Sequence, residues 1–157
     1  MVDSEDRPQV RIPPPLLFLC CLALFGTLEY FLRIDVMFSR TWPTYALAAL
    51  VLVLSGYLAL HALLVLKKHG THIDTSRPTS RIVTSGPFRF SRNPMYLSLV
   101  LLGLGLAVLL TSVWLLLSSA VVLIFLDRLA VRPEEAYLAE KFGKVYAAYS
   151  AKVRRWI

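Results

Sequence analysis

The sequence predicts an all-α fold, a polytopic membrane helix bundle of about four transmembrane segments, the last two forming a helical hairpin, followed by a C-terminal amphipathic helix. Three observations predict it. Hydrophobic residues make up 57% of the chain, mean hydropathy is +0.62, and the apolar residues fall in long blocks instead of alternating, which speaks against an ordinary soluble domain. The blocks approach or exceed the ~20 residues needed to cross a hydrocarbon core. Apart from Glu29, charged residues lie between or beyond the blocks, where water and lipid headgroups can solvate them. The 157 residues read as a single integral membrane domain: an N-terminal tail over 1–15, two transmembrane helices over 16–66, and a half richer in polar residues over 67–157.

The first block covers 16–32. Asp3, Glu5 and Asp6 precede Pro13, Pro14 and Pro15, and no small-residue cleavage site follows, so the block is expected to be a retained anchor. Cys20 and Cys21 are chain neighbours with poor geometry for a mutual disulfide and read as small core residues. Glu29 is an intramembrane ionisable group and thus a functional candidate. Arg33, four residues on, supplies the preferred alternative of a pair along one helix face.

The second block covers 44–66. His61 stands alone in it and reads as a hydrogen-bonding packing residue. His61, His69 and His72 lack carboxylate or thiol partners at ligand spacing, so no metal is expected. The third block, 95–126, is too long for one span and carries Thr111 and Ser112 near its middle. A hairpin fits: one arm over 96–110, a tight turn, and a second over 113–126. Gly103 and Gly105 let a neighbouring helix approach the first arm closely. That arm is short enough either to cross or to re-enter.

From Pro133 onward the pattern changes. Proline suits a first helical turn, Glu134 and Glu135 follow where the helix dipole favours carboxylates, and Leu138, Phe142, Val145 and Tyr149 repeat at three-to-four-residue spacing. This predicts an amphipathic helix on or against the membrane, with Lys141, Lys144 and Lys152 off the apolar stripe and Arg154, Arg155 and Trp156 as an interfacial anchor.

Orientation follows from the basic residues. Lys67, Lys68, Arg77, Arg81, Arg89 and Arg92 lie between the second and third blocks, and Arg128, Arg132, Lys141, Lys144, Lys152, Arg154 and Arg155 follow the fourth helix, whereas the first inter-helix loop holds only Arg33 and Arg40. Both basic segments, both termini and any site between them are expected on the cytoplasmic side. The net charge of +7 therefore points to anionic lipid heads. No interleaved basic and aromatic surface suggests nucleic acid.

The segment 85–96 concentrates polar, basic and turn-forming residues between apolar blocks. Gly86-Pro87 and Asn93-Pro94 force turns, which places Arg89 and Arg92 on a short rigid loop, a plausible anion or cofactor lip. Across from it lie Glu134 and Glu135. The two could enclose a pocket with a polar mouth and an apolar lateral wall. No glycine-rich phosphate loop, nucleophile elbow or Ser/His/Asp set is present.

The run Arg81-Ile82-Val83-Thr84-Ser85-Gly86-Pro87-Phe88-Arg89-Phe90-Ser91-Arg92-Asn93-Pro94-Met95-Tyr96, then a hairpin, then 134–149 beginning Glu134-Glu135 and a terminal Val153-Arg154-Arg155-Trp156, resembles the isoprenylcysteine carboxyl methyltransferase family and the related phospholipid methyltransferases. The resemblance covers the chain from about Gly70 onward and makes 67–157 the cofactor-binding, catalytic half. It implies an enzyme using S-adenosyl-L-methionine near the cytoplasmic face. Ser80, Arg81, Ile82, Val83, Phe88, Asn93, Pro94, Met95 and Tyr96 would line the cofactor, and Glu134 would bind its polar end. The chemistry agrees in kind: a sulfonium with an amino-acid tail calls for an aromatic or carbonyl-lined cradle and a carboxylate.

Methyl transfer gains mostly from alignment and exclusion of water. A carboxylate acceptor needs no general base, whereas an amine must first lose a proton. No dedicated base is evident, which favours an acidic acceptor oriented by Arg89, Arg92 or Arg132, with Glu135 completing the catalytic set. The expected reaction is carboxyl O-methylation of an isoprenylcysteine-type, lipophilic or lipidated substrate. Phospholipid amine N-methylation, and a non-catalytic membrane protein that binds anionic lipid or a partner, stand as alternatives. Asn93 replaces the histidine frequent before the motif proline, Phe88 replaces the tyrosine of Gly-x-Tyr, and Ala130 stands where the eukaryotic prenylcysteine enzymes carry arginine. The prenylcysteine substrate does not follow from the match.

Overall fold

The computed structural model describes residues 10, 12–34, 40–70 and 79–157; Asp3, Glu5, Asp6, His72 and Arg77 lie outside the described residues. Those described form helices α1 (Pro14–Phe31), α2 (Trp42–Lys68), α3 (Pro94–Leu110), α4 (Val113–Leu126), α5 (Arg132–Phe142) and α6 (Lys144–Ser150), with a 3-10 turn at Gly86–Arg89 and a π turn at Asp127–Val131. The bundle is all-α, as the apolar blocks predict.

α1 begins inside the expected tail because Pro14 and Pro15 occupy its first turn, where an N–H has no helical partner anyway. Trp42 and Lys68 extend α2 beyond both ends of its apolar block. α1, α2 and the continuous 30-residue rod Val113–Phe142 are long and apolar enough to cross a membrane. α3 has 17 residues, or roughly 25 Å, at the short end of what crosses.

The core joins Leu17, Phe18 and Cys21 of α1 to Val100 of α3 and to Val122 and Leu126 of α4. Both cysteines are free thiols. Leu47, Leu50, Val53, Leu60 and Leu64 of α2 face outward, as lipid requires. Where lipid surrounds the helices, contact depends on small residues that let backbones close. A Cβ on Gly105 would lie 2.6 Å from Leu52 Cδ2 and 3.3 Å from the Leu52 backbone nitrogen, so α2 and α3 touch there. Gly103 makes room for Ser119 Oγ of α4.

The predicted hairpin is present. Thr111 takes the left-handed conformation at φ 52°, and Ser112 Oγ caps α4 by accepting the Leu115 N–H at 3.1 Å. The same hydroxyl donates to Glu29 Oε2 at 2.6 Å, while Arg33 stands 3.9 Å from Glu29 Oε1, so the helix pair expected of Glu29 is joined by a tie to the hairpin. Trp114 Nε1 donates to Leu32 O at 2.8 Å, and Arg40 donates to Thr111 Oγ1 and Leu110 O. These contacts gather the end of α1, the start of α2 and the α3–α4 turn at one end of the bundle. His61 packs its ring on Tyr57 at 5.5 Å.

The C-terminal helix differs from the expected separate element starting at Pro133. α4 passes into α5 without a break through the π turn, in which the Arg132 N–H reaches Asp127 O. Pro133 has no N–H, and its ring would strike the preceding turn of a regular helix; a locally wider turn just before it absorbs both. The break comes at Gly143, whose φ of 48° and ψ of −119° suit glycine. The apolar stripe is therefore split between α5 and α6. After the break Tyr146 is buried and Val145, expected on the stripe, is exposed.

Candidate active site

The cleft opens at the opposite end of the bundle, between the 79–96 segment and α5–α6. Gly86 makes the first bend: its φ is 60°, and a Cβ there would meet Val65 Cγ2 at 2.8 Å and His61 Nε2 at 3.3 Å. The loop therefore lies directly on α2. A 3-10 turn carries the chain to Ser91, where the Asn93 N–H donates to Ser91 Oγ at 3.1 Å, and Pro94 then opens α3. The C-terminal tail fastens this loop from outside. Arg92 N–H donates to Arg154 O at 3.0 Å, and Asn93 Nδ2 and Ser91 Oγ donate to Arg155 O at 3.1 and 3.3 Å. Tyr149 Oη of α6 donates to Phe88 O at 2.8 Å.

The cleft has a cavity volume of about 130 Å³ and is open at its mouth. Thr79, Arg81, Ile82 and Val83 form one wall with Phe88; Arg92, Asn93, Pro94, Met95 and Tyr96 form the floor; Glu134, Glu135, Leu138, Tyr146 and Tyr149 face them, and Leu66 of α2 closes the side. Among the proposed cofactor residues, Arg81, Ile82, Val83, Phe88, Asn93, Pro94, Met95, Tyr96 and Glu134 thus come together, while Ser80 is exposed and outside the lining. Among the proposed catalytic residues, Arg92 and Glu135 line the cleft. Arg89 and Arg132 do not: both are exposed, and Arg132 is held by Asp127 Oδ2 at 2.7 Å.

Two carboxylates dominate the electrostatics. Tyr96 Oη donates to Glu134 Oε2 at 2.9 Å. Glu135 Oε2 accepts from Arg155 Nε at 3.1 Å and Nη2 at 2.7 Å, a two-point hold. Arg92 Nη2 stands 3.3 Å from Glu135 Oε1 as an ion pair, without the angle of a hydrogen bond, and Arg92 Nη1 reaches Tyr146 Oη at 3.5 Å. Arg92 Nε and Glu135 Oε1 are buried with no hydrogen-bond partner among the described residues. Unmatched buried groups are costly, and this pair faces the cleft. Burial, then the Glu135 charge, raises the Tyr146 hydroxyl; burial, then Tyr146, raises Tyr149. Both hydroxyls are donors at neutral pH. Hydrogen bonding to Glu135 raises Arg155 above its ordinary value, so it stays cationic.

Sequence reasoning did not assign Leu66, Thr79, Leu138, Tyr146 or Tyr149 to the site. Leu138 and Tyr149 read as one packing stripe. The available signal was two phenols three residues apart where pure packing would be met by leucine or phenylalanine. Arg155, read as part of an interfacial anchor, instead points inward to Glu135 and Asp127. Among the described residues no three His, Cys, Asp or Glu side chains converge in a metal-binding group.

Comparison with known proteins bears on this arrangement. An uncharacterised protein of Haemophilus influenzae is 36% identical over 63 residues, which is 40% of this chain and all of that protein. No solved structure matches. The phospholipid methyltransferase family profile matches residues 43–145, a stretch that contains α2 from its second residue, the loop wall, the hairpin and both cleft glutamates. The chain belongs to the phospholipid methyltransferase family, whose members are membrane methyltransferases.

Proposed function

We propose that the protein transfers a methyl group from S-adenosylmethionine to a lipid-borne acceptor that enters the cleft from the bilayer. The observation that carries this reading is the pairing of two carboxylates, Glu134 and Glu135, with Arg92 and three tyrosines in one cleft whose flank is apolar. These residues fit the cofactor. Arg92 Nε and Glu135 Oε1 are a buried donor and acceptor side by side without partners, the complement of a zwitterionic amino-acid tail. Phe88 and Tyr96 place aromatic rings in the lining, a kind of group that suits a sulfonium, and Glu134, held by Tyr96, offers an acceptor for ribose or ammonium hydrogens. The bound cofactor would supply a methyl group on a cationic sulfur. The chain's own contribution is to hold two reactants aligned and to keep water out, with Leu66, Ile82, Val83 and Leu138 closing the apolar side.

A nitrogen acceptor on a phospholipid headgroup is the reading the arginine positions favour. Arg89 and Arg132 lie outside the cleft, and the unmatched edge of Arg92 is taken by the cofactor's tail in this reading, so the cations expected to orient a carboxylate acceptor are elsewhere or engaged. A carboxyl acceptor of the isoprenylcysteine type is the second reading. It is supported by Arg81 at the cleft wall and by a lining that holds no histidine among the described residues, since a carboxylate needs no base. The cleft is read as cytoplasmic because Lys67, Lys68, Arg81, Arg89, Arg128, Lys141, Lys144 and Lys152 gather at its end of the bundle, against Arg33 and Arg40 at the other.

Binding of radiolabelled S-adenosylmethionine to detergent-purified protein tests the enzyme reading. Saturable binding, weakened about tenfold or more by Glu134→Gln through loss of a charged acceptor, is expected. No saturable binding, or binding indifferent to Glu134→Gln and Tyr96→Phe, would overturn it. Membranes incubated with methyl-labelled cofactor then separate the acceptors: label that mild base releases as volatile methanol marks a methyl ester, and label that stays non-volatile on the headgroup marks nitrogen.

A further inference from the structure

We infer that Arg155, near the end of the chain, is a positioning residue that holds the Glu135 carboxylate so that one oxygen stays inside the protein and the other is kept for a ligand. The inference rests on the cofactor reading above and assigns to that site a residue from the C-terminal tail.

The geometry divides the carboxylate in two. Oε2 takes both Arg155 Nε and Nη2, at 3.1 and 2.7 Å, whereas Oε1 takes no hydrogen bond although it is buried. Arg92 Nη2 is only 3.3 Å from Oε1, and the neighbouring Arg92 Nε is also without a partner. Left to themselves, an arginine and a carboxylate this close would turn into a two-point fork, Nε and Nη2 against both oxygens. Such a fork would satisfy both groups and close the place between them. Arg155 prevents the turn by occupying Oε2 from the other side.

Arg155 is itself braced. Its Nη1 lies 3.3 Å from Asp127 Oδ1, and Asp127 Oδ2 is held by Arg132 at 2.7 Å. Its carbonyl receives Asn93 Nδ2 and Ser91 Oγ, and the preceding carbonyl receives the Arg92 N–H. The tail that carries Arg155 is therefore bonded to the loop that carries Arg92, and Trp156 packs against the core. Arg132, expected to orient an acceptor, stands three contacts from the cleft, through Asp127 and Arg155 to Glu135. The consequence is a buried donor on Arg92 and a buried acceptor on Glu135, both left unmatched and kept from closing on each other by Arg155.

The test compares two nucleoside probes on purified protein: S-adenosylhomocysteine, which carries the amino-acid tail, and methylthioadenosine, which lacks it. With Arg155→Gln, S-adenosylhomocysteine is expected to bind about tenfold or more weakly, the loss of a charge-assisted contact, while methylthioadenosine binding changes less than about twofold. Arg155→Lys keeps the charge but not the two-point hold, and is expected to show the same selective loss. Equal loss of both probes in both variants, the mark of a merely structural role, overturns the inference, as does full retention of S-adenosylhomocysteine binding. Rescue by lysine overturns the two-point hold. If the unaltered protein binds methylthioadenosine and S-adenosylhomocysteine equally well, the tail site fails while a nucleoside cleft survives; if it binds neither, the cofactor reading itself fails.

Discussion

Tyr149 ties the last helix to the loop through one hydroxyl, donated to Phe88 O at 2.8 Å. Tyr149→Phe removes that donor and leaves a carbonyl beside the cleft unmatched, a loss of about 1 kcal/mol that should appear as a lower midpoint in thermal unfolding. Its pH dependence has a definite sign. The folded state holds this phenol above its ordinary value by burial, while in the unfolded chain it ionises near pH 10. The preference for the neutral form is thus fully present below about pH 10 and is lost as pH rises toward the folded value. Unfolding midpoints measured from neutral to strongly alkaline pH should fall less steeply in the Phe variant. Residues of this kind mark the limit of what sequence shows about the site. Arg81, Val83, Asn93 and Tyr96 were legible because one short run carries them. Tyr146 reaches the cleft only after a break at Gly143, Arg155 reaches Glu135 only because the tail folds back, and Arg132 is withdrawn by Asp127, five residues earlier across the π turn.

At the level of elements, the contact between α2 and α3 depends on having no side chain at Gly105. Gly105→Val would drive methyl groups into Leu52 Cδ2 and toward its backbone, and because backbone cannot step aside the overpacking should cost about 1–3 kcal/mol. The expected outcome is a lower unfolding midpoint in detergent together with weakened cofactor binding, since α3 begins at the cleft floor. Gly26→Val, with nothing within 4 Å of the added Cβ, serves as the control and should change stability little. The transmembrane helices were legible in hydropathy alone, because apolar blocks of that length have few other uses. Their ends were less so: Pro14, Trp42 and Lys68 extend helices past the apolar blocks. The joining of α4 to α5 was hidden by Pro133, which by itself signals a helix start and which only the preceding π turn makes compatible with continuation.

As a whole the molecule has two unlike ends. One is closed by Glu29, Ser112, Trp114 and Arg40 holding helix ends and turn together; the other carries most of the basic residues and the cleft. If the basic end is cytoplasmic, Lys152→Cys in a background lacking Cys20 and Cys21 should react with an impermeant thiol reagent only in inverted vesicles, and Arg40→Cys only in right-side-out ones; the opposite pattern would reverse the orientation. The π turn has a consequence for everything beyond it. A π turn holds one residue more than an α turn, so the residues after it sit about 100° back around the axis from where a regular helix of the same sequence would carry them. Glu134 and Glu135 therefore face the loop wall because the turn is widened: drawing Asp127–Val131 into a regular α-helix with every residue kept would swing both carboxylates about 100° toward a different neighbour, while leaving every side chain of the site in the sequence.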